Sequence, residues 1–184
     1  MRVKMSNSAW SKKALFSSAS TEWSTPEAIF SALDDEFCFE LDACANEHNT
    51  KCGYWFDKSD DALTQDWTAP LSYGSNAIEN PAWPGQPWER VWCNPPYGRD
   101  VGKFVKKAYD ESQKGLTVVM LLMASTDTAW WHDYVSKATQ VRLIRGRLAF
   151  TRNDGHTGPA PKGSAVVVFA PWWSGPAQYV LWSP

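Results

Sequence analysis

Apolar residues are distributed along the chain in two patterns, at helical spacing and in compact runs. A hydroxyl residue followed by Pro26 predicts the start of a helix that ends at about Leu33 or Asp34. Apolar residues at helical spacing predict two further helices, over residues 100–113 and 126–135. Compact apolar runs predict strands at residues 37–42, 90–93, 116–122, 141–144 and 165–169.

This order of elements predicts an α/β fold with a mostly parallel sheet. The run at residues 116–122 is apolar throughout, which is typical of a strand covered on both faces. A glycine- and proline-rich loop at residues 153–163 separates the last two strands, so we expect a terminal antiparallel hairpin there. Residues 70–87 are also rich in proline and glycine and predict another loop.

The length of 184 residues indicates one folded domain, which we assign to residues 21–184. Residues 1–20 carry four basic side chains among serines and alanines and have no apolar signal core, so they predict a disordered basic tail. No apolar run approaches the roughly 18 residues that a membrane span needs. We therefore expect a cytosolic protein without a membrane partner, and the residues do not indicate an oligomeric state.

Charge is unevenly distributed although the net charge is only −2. Residues 34–66 contain ten acidic and two basic side chains, whereas residues 89–162 contain twelve basic and seven acidic ones. This asymmetry suits a protein that binds a cationic small molecule with one part and DNA with another. The alternative is an ordinary solvated surface of mixed charge.

The four cysteines and twelve tryptophans have ordinary structural explanations. Cys44, His48 and Cys52 are four residues apart and could place three zinc ligands on one helical face. The cysteines lack a paired spacing such as CxxC, which favours reduced thiols in the core, so no metal site is predicted. Tryptophans mostly supply buried area, although they also stack on nucleic-acid bases.

Asp42 and Asn94 each follow a predicted strand, so both should lie beyond the carboxyl edge of the sheet, where α/β proteins bind ligands. Asn94 begins the sequence Asn-Pro-Pro-Tyr. Each proline fixes its own φ and disfavours the helical conformation of the residue before it. The result is a rigid turn that displays the Asn94 side chain and the Pro95 carbonyl.

Such a turn suits methyl transfer to an exocyclic amino group, a poor nucleophile whose lone pair is delocalised into the base. The Asn94 side-chain oxygen and the Pro95 carbonyl can accept hydrogen bonds from the amino group and stabilise the positive charge that develops on it. Tyr97 can stack on a base that has left the duplex. No strong general base is required, because no proton has to leave before the attack.

The motif at residues 92–99 resembles the catalytic motif of amino-methylating DNA methyltransferases. Together with four further blocks, it is similar to the small phage-encoded Dam-type DNA N6-adenine methyltransferases. Those blocks are residues 23–26, 41–45, 60–67 and 146–150. The resemblance implies a Rossmann-like methyltransferase fold, S-adenosyl-L-methionine as cofactor and a flipped adenine in double-stranded DNA as substrate. It also implies the cytoplasm of a bacterial host, if the protein is phage-encoded.

The resemblance also implies roles for individual residues. The catalytic residues would be Asn94, Pro95, Pro96 and Tyr97, and the cofactor-binding residues would be Thr25, Pro26, Asp42, Ala43 and Asp61. Thr25 and Pro26 would fold over the methionine moiety, near which Asp42 also lies. Asp61 would accept from the adenine amino group of the cofactor, with Asp66 as the alternative. Glu47 and Asp57 are both candidates for the ribose hydroxyls. The block at residues 41–45 lacks the glycines of larger methyltransferases.

Basic residues near the motifs predict the contact with DNA. We expect Arg99, Arg145 and Arg147 to contact phosphates and Phe150 to stack on the flipped base, unless Phe150 belongs to the core of a strand. The loop at residues 153–163 is a candidate for target recognition. Other basic residues that could contact phosphates are Lys103, Lys106, Lys107, Arg142 and Arg152.

The same sequence features are compatible with other activities. The same turn would serve methylation of cytosine N4, of adenine in RNA or of a glutamine amide. A catalytically silent nucleic-acid-binding module is a different kind of alternative, in which tryptophans stack on bases and the basic half of the chain contacts phosphates.

Overall fold

The computed structural model describes residues 23–68, 89–152 and 157–183. The predicted tail at residues 1–20, the predicted loop at 70–87 and the tip of the loop at 153–163 lie outside these ranges. The helices are α1 (Glu27–Phe37), α2 (Val101–Ser112) and α3 (Ala129–Asp133), and a 3-10 turn follows α3 at Val135–Lys137. The strands are β1 (Trp23–Ser24), β2 (Leu41–Asp42), β3 (Tyr54–Trp55), β4 (Arg90–Cys93), β5 (Thr117–Met123), β6 (Gln140–Ile144), β7 (Ala149–Arg152), β8 (Thr157–Pro159), β9 (Ser164–Phe169) and β10 (Gln178–Trp182).

Seven of these strands form a central sheet in the order β10-β6-β9-β5-β4-β2-β3. All its neighbours are parallel except β9, which is antiparallel to both β5 and β6. The predicted mixed α/β fold, mostly parallel sheet and antiparallel pair of β6 and β9 are therefore confirmed. The pair is not at the end of the chain, because β10 follows it and lies at the sheet edge, parallel to β6.

A small second sheet has the order β1-β7-β8 and was not predicted. The loop expected at residues 153–163 instead contains β8, which pairs with β7. Its sequence, Thr-Gly-Pro, has low strand propensity, so the pairing with β7 determines its conformation. On the other side of β7, Ser24 of β1 pairs with Thr151. This pairing positions the segment that leads into Thr25.

The apolar core lies on both faces of the central sheet, and β5 shows this most clearly. Met120 packs in the cluster that includes Val105 of α2, whereas its neighbour Leu121 packs in the cluster that includes Leu33 of α1. All four side chains are fully buried. The prediction of a strand covered on both faces is therefore confirmed at residues 117–123.

Helix α1 continues to Phe37, beyond the predicted end at Leu33 or Asp34. Cys38, with a left-handed φ of 55°, ends the helix, and its N–H donates to the Asp34 carbonyl at 2.7 Å. The strand expected at residues 37–42 is consequently reduced to Leu41–Asp42. The described residues contain no helix with the length and apolar character needed to cross a membrane.

Candidate active site

The carboxyl ends of β2 and β4 bring the two expected site segments together. The strands are parallel neighbours, with Asp42 opposite Trp92, and Asn94 follows two residues later. The prediction that Asp42 and Asn94 share one edge of the sheet is confirmed. A cavity of about 260 Å³ opens at this edge. Its walls combine residues from three segments: Ala43, Cys44, Ala45, Asn46, Asn49, Phe56, Asp57, Lys58, Asp61, Ala62, Asn94, Pro95, Pro96, Tyr97 and Phe104.

The side chain of Asn94 is held by a hydroxyl group on each side. Its Nδ2 donates to Thr25 Oγ1 at 3.2 Å, and its Oδ1 accepts from the Tyr97 hydroxyl at 2.9 Å. Next to it, Pro95 is buried and Pro96 is exposed, so the turn is anchored on one side and open to solvent on the other. These contacts fix the amide at the wall of the cavity.

Tyr97 lies between the cavity and the core. Its hydroxyl is also 3.4 Å from the Leu121 carbonyl, and its ring meets Phe150 edge-on, with centroids 5.9 Å apart. Burial raises the pKa of the Tyr97 hydroxyl well above its ordinary value, so the group is protonated and donates its hydrogen bond. Phe150 on β7 is only 3% exposed. In this arrangement Phe150 supports the Tyr97 ring, and its stacking on a base stays a prediction.

Asp42 is buried behind the cavity wall and is 3% exposed. Its Oδ1 accepts from the Cys44 N–H at 3.3 Å, and its Oδ2 accepts from the Lys51 N–H at 3.2 Å. Burial raises the pKa of Asp42 to about 7, although the two N–H groups oppose this rise. Asp42 therefore holds both ends of the loop at residues 44–51. In the described part of the chain, Ala43 lines the cavity and Asp42 does not.

The two carboxylates considered for the adenine end of a cofactor lie in different surroundings. Asp61 lines the cavity and has a left-handed φ of 51°. Asp66 is outside the described cavity wall, where it accepts from Thr68 and pairs with Lys114 at 3.3 Å. These contacts, those with Thr68 first, lower the pKa of Asp66. The geometry thus favours Asp61 over Asp66.

The two candidates for ribose binding are separated in the same way. Asp57 follows β3, the strand beside β2, and lines the cavity, and its Oδ1 accepts from the Ser59 N–H at 2.7 Å. Glu47 is exposed on the surface, where it lies 3.4 Å from His48. Of the two residues, Asp57 alone belongs to the cavity wall described here.

Thr25 and Pro26 lie where β1 passes into α1. Thr25 is 6% exposed and contacts Asn94, as described above. The Pro26 carbonyl accepts from the N–H groups of Ile29 and Phe30, at 3.0 and 3.2 Å, and so begins the helix. In the described structure Thr25 contacts the turn at residues 94–97 through Asn94, and the cavity wall contains neither Thr25 nor Pro26.

The cysteines do not adopt the arrangement of a zinc site. Cys44 contacts Cys93, with the sulfur atoms 3.7 Å apart, whereas His48 is exposed beside Glu47. Burial raises the pKa values of Cys44 and Cys52, so these thiols stay protonated. All four cysteines are free thiols, and the residues that the structure describes contain no cluster of three potential metal ligands.

The basic residues predicted to contact DNA are exposed. Arg145 and Arg147 follow β6, which is parallel to β5, so they lie at the same edge of the sheet as Asn94. Arg147 also donates to the Ala160 carbonyl at 3.1 Å. Arg99 is exposed just after the turn at residues 94–97. DNA contact by these three residues stays a prediction.

Two other basic residues have structural partners instead. Arg142 is 8% exposed and forms a bidentate ion pair with Glu36 of α1, at 2.6 and 2.5 Å. Lys107 pairs with the fully buried Glu111. Phosphate contact by Arg142 is therefore a wrong prediction, because its side chain is largely buried and its guanidinium is bonded to Glu36. Lys103 and Lys106 are exposed and pair with Asp100 and Asp110.

Several cavity residues were not anticipated from the sequence. Asn46 and Asn49 come from the loop after β2, Lys58 follows β3, and Phe56 and Phe104 form apolar wall. The position of Asn46 and Asn49 shortly after a strand is a signal that could have identified them. The two phenylalanines resemble ordinary core residues in sequence, and only the fold shows that they face the cavity.

The chain is similar to known proteins over most of its length. The family model described as "DNA N-6-adenine-methyltransferase (Dam)" matches residues 12–181. A DNA N-6-adenine-methyltransferase of Escherichia phage T1 is 29% identical in an alignment 183 residues long; the alignment covers 88% of this chain and 68% of the phage protein. A DNA N-6-adenine-methyltransferase of Haemophilus phage HP1 is 30% identical in an alignment 167 residues long; this alignment covers 86% of this chain and 85% of the relative. The chain therefore belongs to the DNA N-6-adenine-methyltransferase (Dam) family of enzymes.

Proposed function

We propose that this enzyme transfers a methyl group from S-adenosyl-L-methionine to the N6 amino group of an adenine flipped out of double-stranded DNA. The observation that carries the proposal is the Asn94 amide, held between Thr25 and Tyr97 at the wall of a cavity beyond the carboxyl ends of parallel strands. Family membership supplies the reaction. The geometry supports particular roles for the residues.

The cavity residues suit the proposed cofactor. Phe56, Phe104 and Ala43 offer apolar surface for an adenine ring, and Asp57 and Asp61 offer carboxylates for hydroxyl and amino groups. We assign the ribose hydroxyls to Asp57 and the adenine amino group to Asp61. The negative charge of both side chains also favours a cationic ligand. Asp42 would act indirectly, by holding the loop that carries Asn46 and Asn49.

When bound, S-adenosyl-L-methionine supplies an electrophilic methyl group on a sulfonium. Asn94 Oδ1 and the Pro95 carbonyl would accept hydrogen bonds from the two N6 hydrogens of the adenine. As N6 attacks, it becomes positively charged, and these two acceptors stabilise that charge more than they stabilise the neutral amine. Because their positions are fixed by the prolines and by the contacts of Asn94, little reorganisation is needed. The surplus proton leaves N6 after the transfer.

The DNA would approach the edge of the sheet that carries Asn94. Arg99, Arg145 and Arg147 are exposed there and would contact phosphates, which position the duplex without reading its sequence. The Tyr97 ring, supported by Phe150, would stack on the flipped adenine. We propose a Rossmann-like arrangement in a single domain of residues 21–184, acting in the cytoplasm of a bacterial host.

Identification of the methylated nucleoside tests the proposed reaction. Purified protein is incubated with methyl-labelled S-adenosyl-L-methionine and, in parallel reactions, with unmethylated duplex DNA or with RNA, and each nucleic acid is then digested to nucleosides. The proposal expects the label in N6-methyladenine. Label in N4-methylcytosine, or in RNA but not in DNA, would refute it. Calorimetric titration with S-adenosyl-L-methionine separates an enzyme from a silent DNA-binding module, which would release no heat of cofactor binding.

A further inference from the structure

The side chain of Thr25 is placed to control the orientation of Asn94. It is 6% exposed, and its Oγ1 accepts a 3.2 Å hydrogen bond from Asn94 Nδ2 across 69 positions of sequence. Its backbone is fixed on both sides, by the pairing of Ser24 with Thr151 and by the start of α1 at Glu27. The hydroxyl is therefore a fixed partner for the catalytic amide.

The orientation of this amide matters because its two ends have opposite hydrogen-bonding character. The oxygen only accepts, whereas the nitrogen only donates. The amino group of adenine also donates its two hydrogens, so an amide turned by 180° would direct donors at donors. Thr25 on the nitrogen and Tyr97 on the oxygen hold the amide from both ends in the productive orientation.

The Thr25 contact also affects the strength of the acceptor. A hydrogen bond donated by the nitrogen of an amide polarises the group and makes its oxygen a better acceptor. The Tyr97 hydroxyl donates to the oxygen itself, which leaves the second lone pair for the base but does not strengthen the oxygen as an acceptor. Thr25 acts at the opposite end of the amide and leaves both lone pairs of the oxygen free of its own contact.

We infer that Thr25 is a positioning residue for methyl transfer, whose hydroxyl orients and polarises the Asn94 amide. This inference rests on the proposed catalytic role of Asn94. It differs from a direct cofactor contact, which the family resemblance implied for Thr25, because the described cavity wall does not include this residue.

Two substitutions separate the hydroxyl from the shape of the side chain. Thr25→Val keeps the shape and removes the hydroxyl, and Thr25→Ser keeps the hydroxyl and removes the methyl group. Without one orienting hydrogen bond, kcat of Thr25→Val should fall about tenfold at saturating cofactor and DNA, with calorimetric cofactor affinity unchanged. Thr25→Ser should retain nearly the wild-type kcat. Thr25→Ala replaces the valine variant if the latter does not fold.

A second readout does not depend on activity. The side-chain amide resonance of Asn94, identified by its loss in Asn94→Asp, should shift in Thr25→Val and remain near its wild-type position in Thr25→Ser. Weakened cofactor binding with a normal kcat in Thr25→Val would overturn the inference, because it would make Thr25 a cofactor ligand. An equal loss of kcat in Thr25→Val and Thr25→Ser would also overturn it, because the packing of the side chain and not its hydroxyl would then be responsible. If wild-type protein forms no N6-methyladenine, the proposed function fails. The amide resonance of Asn94 would still show whether Thr25 contacts Asn94.

Discussion

The Tyr97 hydroxyl donates a 2.9 Å hydrogen bond to Oδ1 of Asn94, the atom that would accept from the adenine amino group. The two residues are separated only by the prolines of the turn. In the proposed mechanism Tyr97 consequently has two roles: its hydroxyl holds the amide, and its ring offers a surface for the base. These roles can be separated by mutation.

Tyr97→Phe removes the hydroxyl and keeps the ring. A typical net hydrogen bond contributes about 1 kcal/mol, so we expect kcat to fall roughly fivefold. Tyr97→Ala also removes stacking worth about 1–3 kcal/mol and should lose at least about another fivefold in kcat/KM for DNA. Steady-state kinetics on duplex DNA measure both effects. Equal kinetics for the two variants would show that the ring does not contact the base.

Asp61→Asn should weaken the binding of S-adenosyl-L-methionine, because an amide cannot replace both oxygens of a carboxylate acceptor. A hydrogen bond to a charged group contributes about 1.5–3 kcal/mol, so we expect an affinity loss of at least about tenfold by calorimetry. Asp66→Asn is the matched control, since that carboxylate is bonded to Thr68 and Lys114 outside the cavity. A greater loss of cofactor affinity in Asp66→Asn than in Asp61→Asn would assign the adenine amino group of the cofactor to Asp66 instead.

The buried Asp42 predicts a specific dependence of stability on pH. Burial raises its pKa from 3.8 to about 7 in the folded protein. Between these two pH values the folded state binds a proton that the unfolded state has lost. The contribution of Asp42 to the free energy of unfolding therefore falls as pH rises through this window and is constant above it.

Asp42→Asn cannot titrate, so the difference in free energy of unfolding between wild type and variant isolates this effect. Each unit of pKa shift corresponds to about 1.4 kcal/mol, and the wild type should lose a few kcal/mol relative to the variant between about pH 4 and pH 7. Urea unfolding across this range measures the difference. The comparison cancels the opposite contributions of Glu27, Glu36 and Asp66, whose pKa values are lowered by their partners. A difference that does not change with pH would contradict the burial of a titrating Asp42.

Arg145→Ala should weaken DNA binding and reduce the slope of log affinity against log salt by about 1, as expected for one lost phosphate contact. Arg142→Met is the control, because Arg142 is buried against Glu36 and not available to DNA. It should lower the free energy of unfolding and leave the salt slope unchanged. Fluorescence anisotropy with a labelled duplex measures both slopes. A reduced slope in Arg142→Met alone would contradict these roles.

The sequence predicted those parts of the fold that depend on local pattern. Strand β5 is apolar throughout, and α2 has apolar residues at helical spacing, so both were predicted within one or two residues. Strands β1 and β8 were missed because they are two and three residues long and exist only through their pairing with β7. The β1–β7 pairing joins distant parts of the chain, and the Thr-Gly-Pro sequence of β8 shows no local strand pattern.

The candidate site shows the same distinction. Asn94 and Tyr97 were predicted because prolines impose a recognisable turn, and the structure brings both to the cavity. The contact of Thr25 with Asn94 was not predicted, since it joins residues 69 positions apart through the β1–β7 pairing. Arg142 was assigned to the surface because its charge was visible in the sequence, whereas its partner Glu36 lies 106 positions away.

The proposed catalytic role of Asn94 can be tested by comparing two proteins. Wild type and Asn94→Ala are assayed side by side for formation of N6-methyladenine in duplex DNA and for calorimetric affinity for S-adenosyl-L-methionine. The loss of a preorganised acceptor should lower kcat by about 10²–10³, while the cofactor affinity stays within about twofold of wild type. Wild-type turnover in Asn94→Ala would contradict the catalytic role proposed for Asn94.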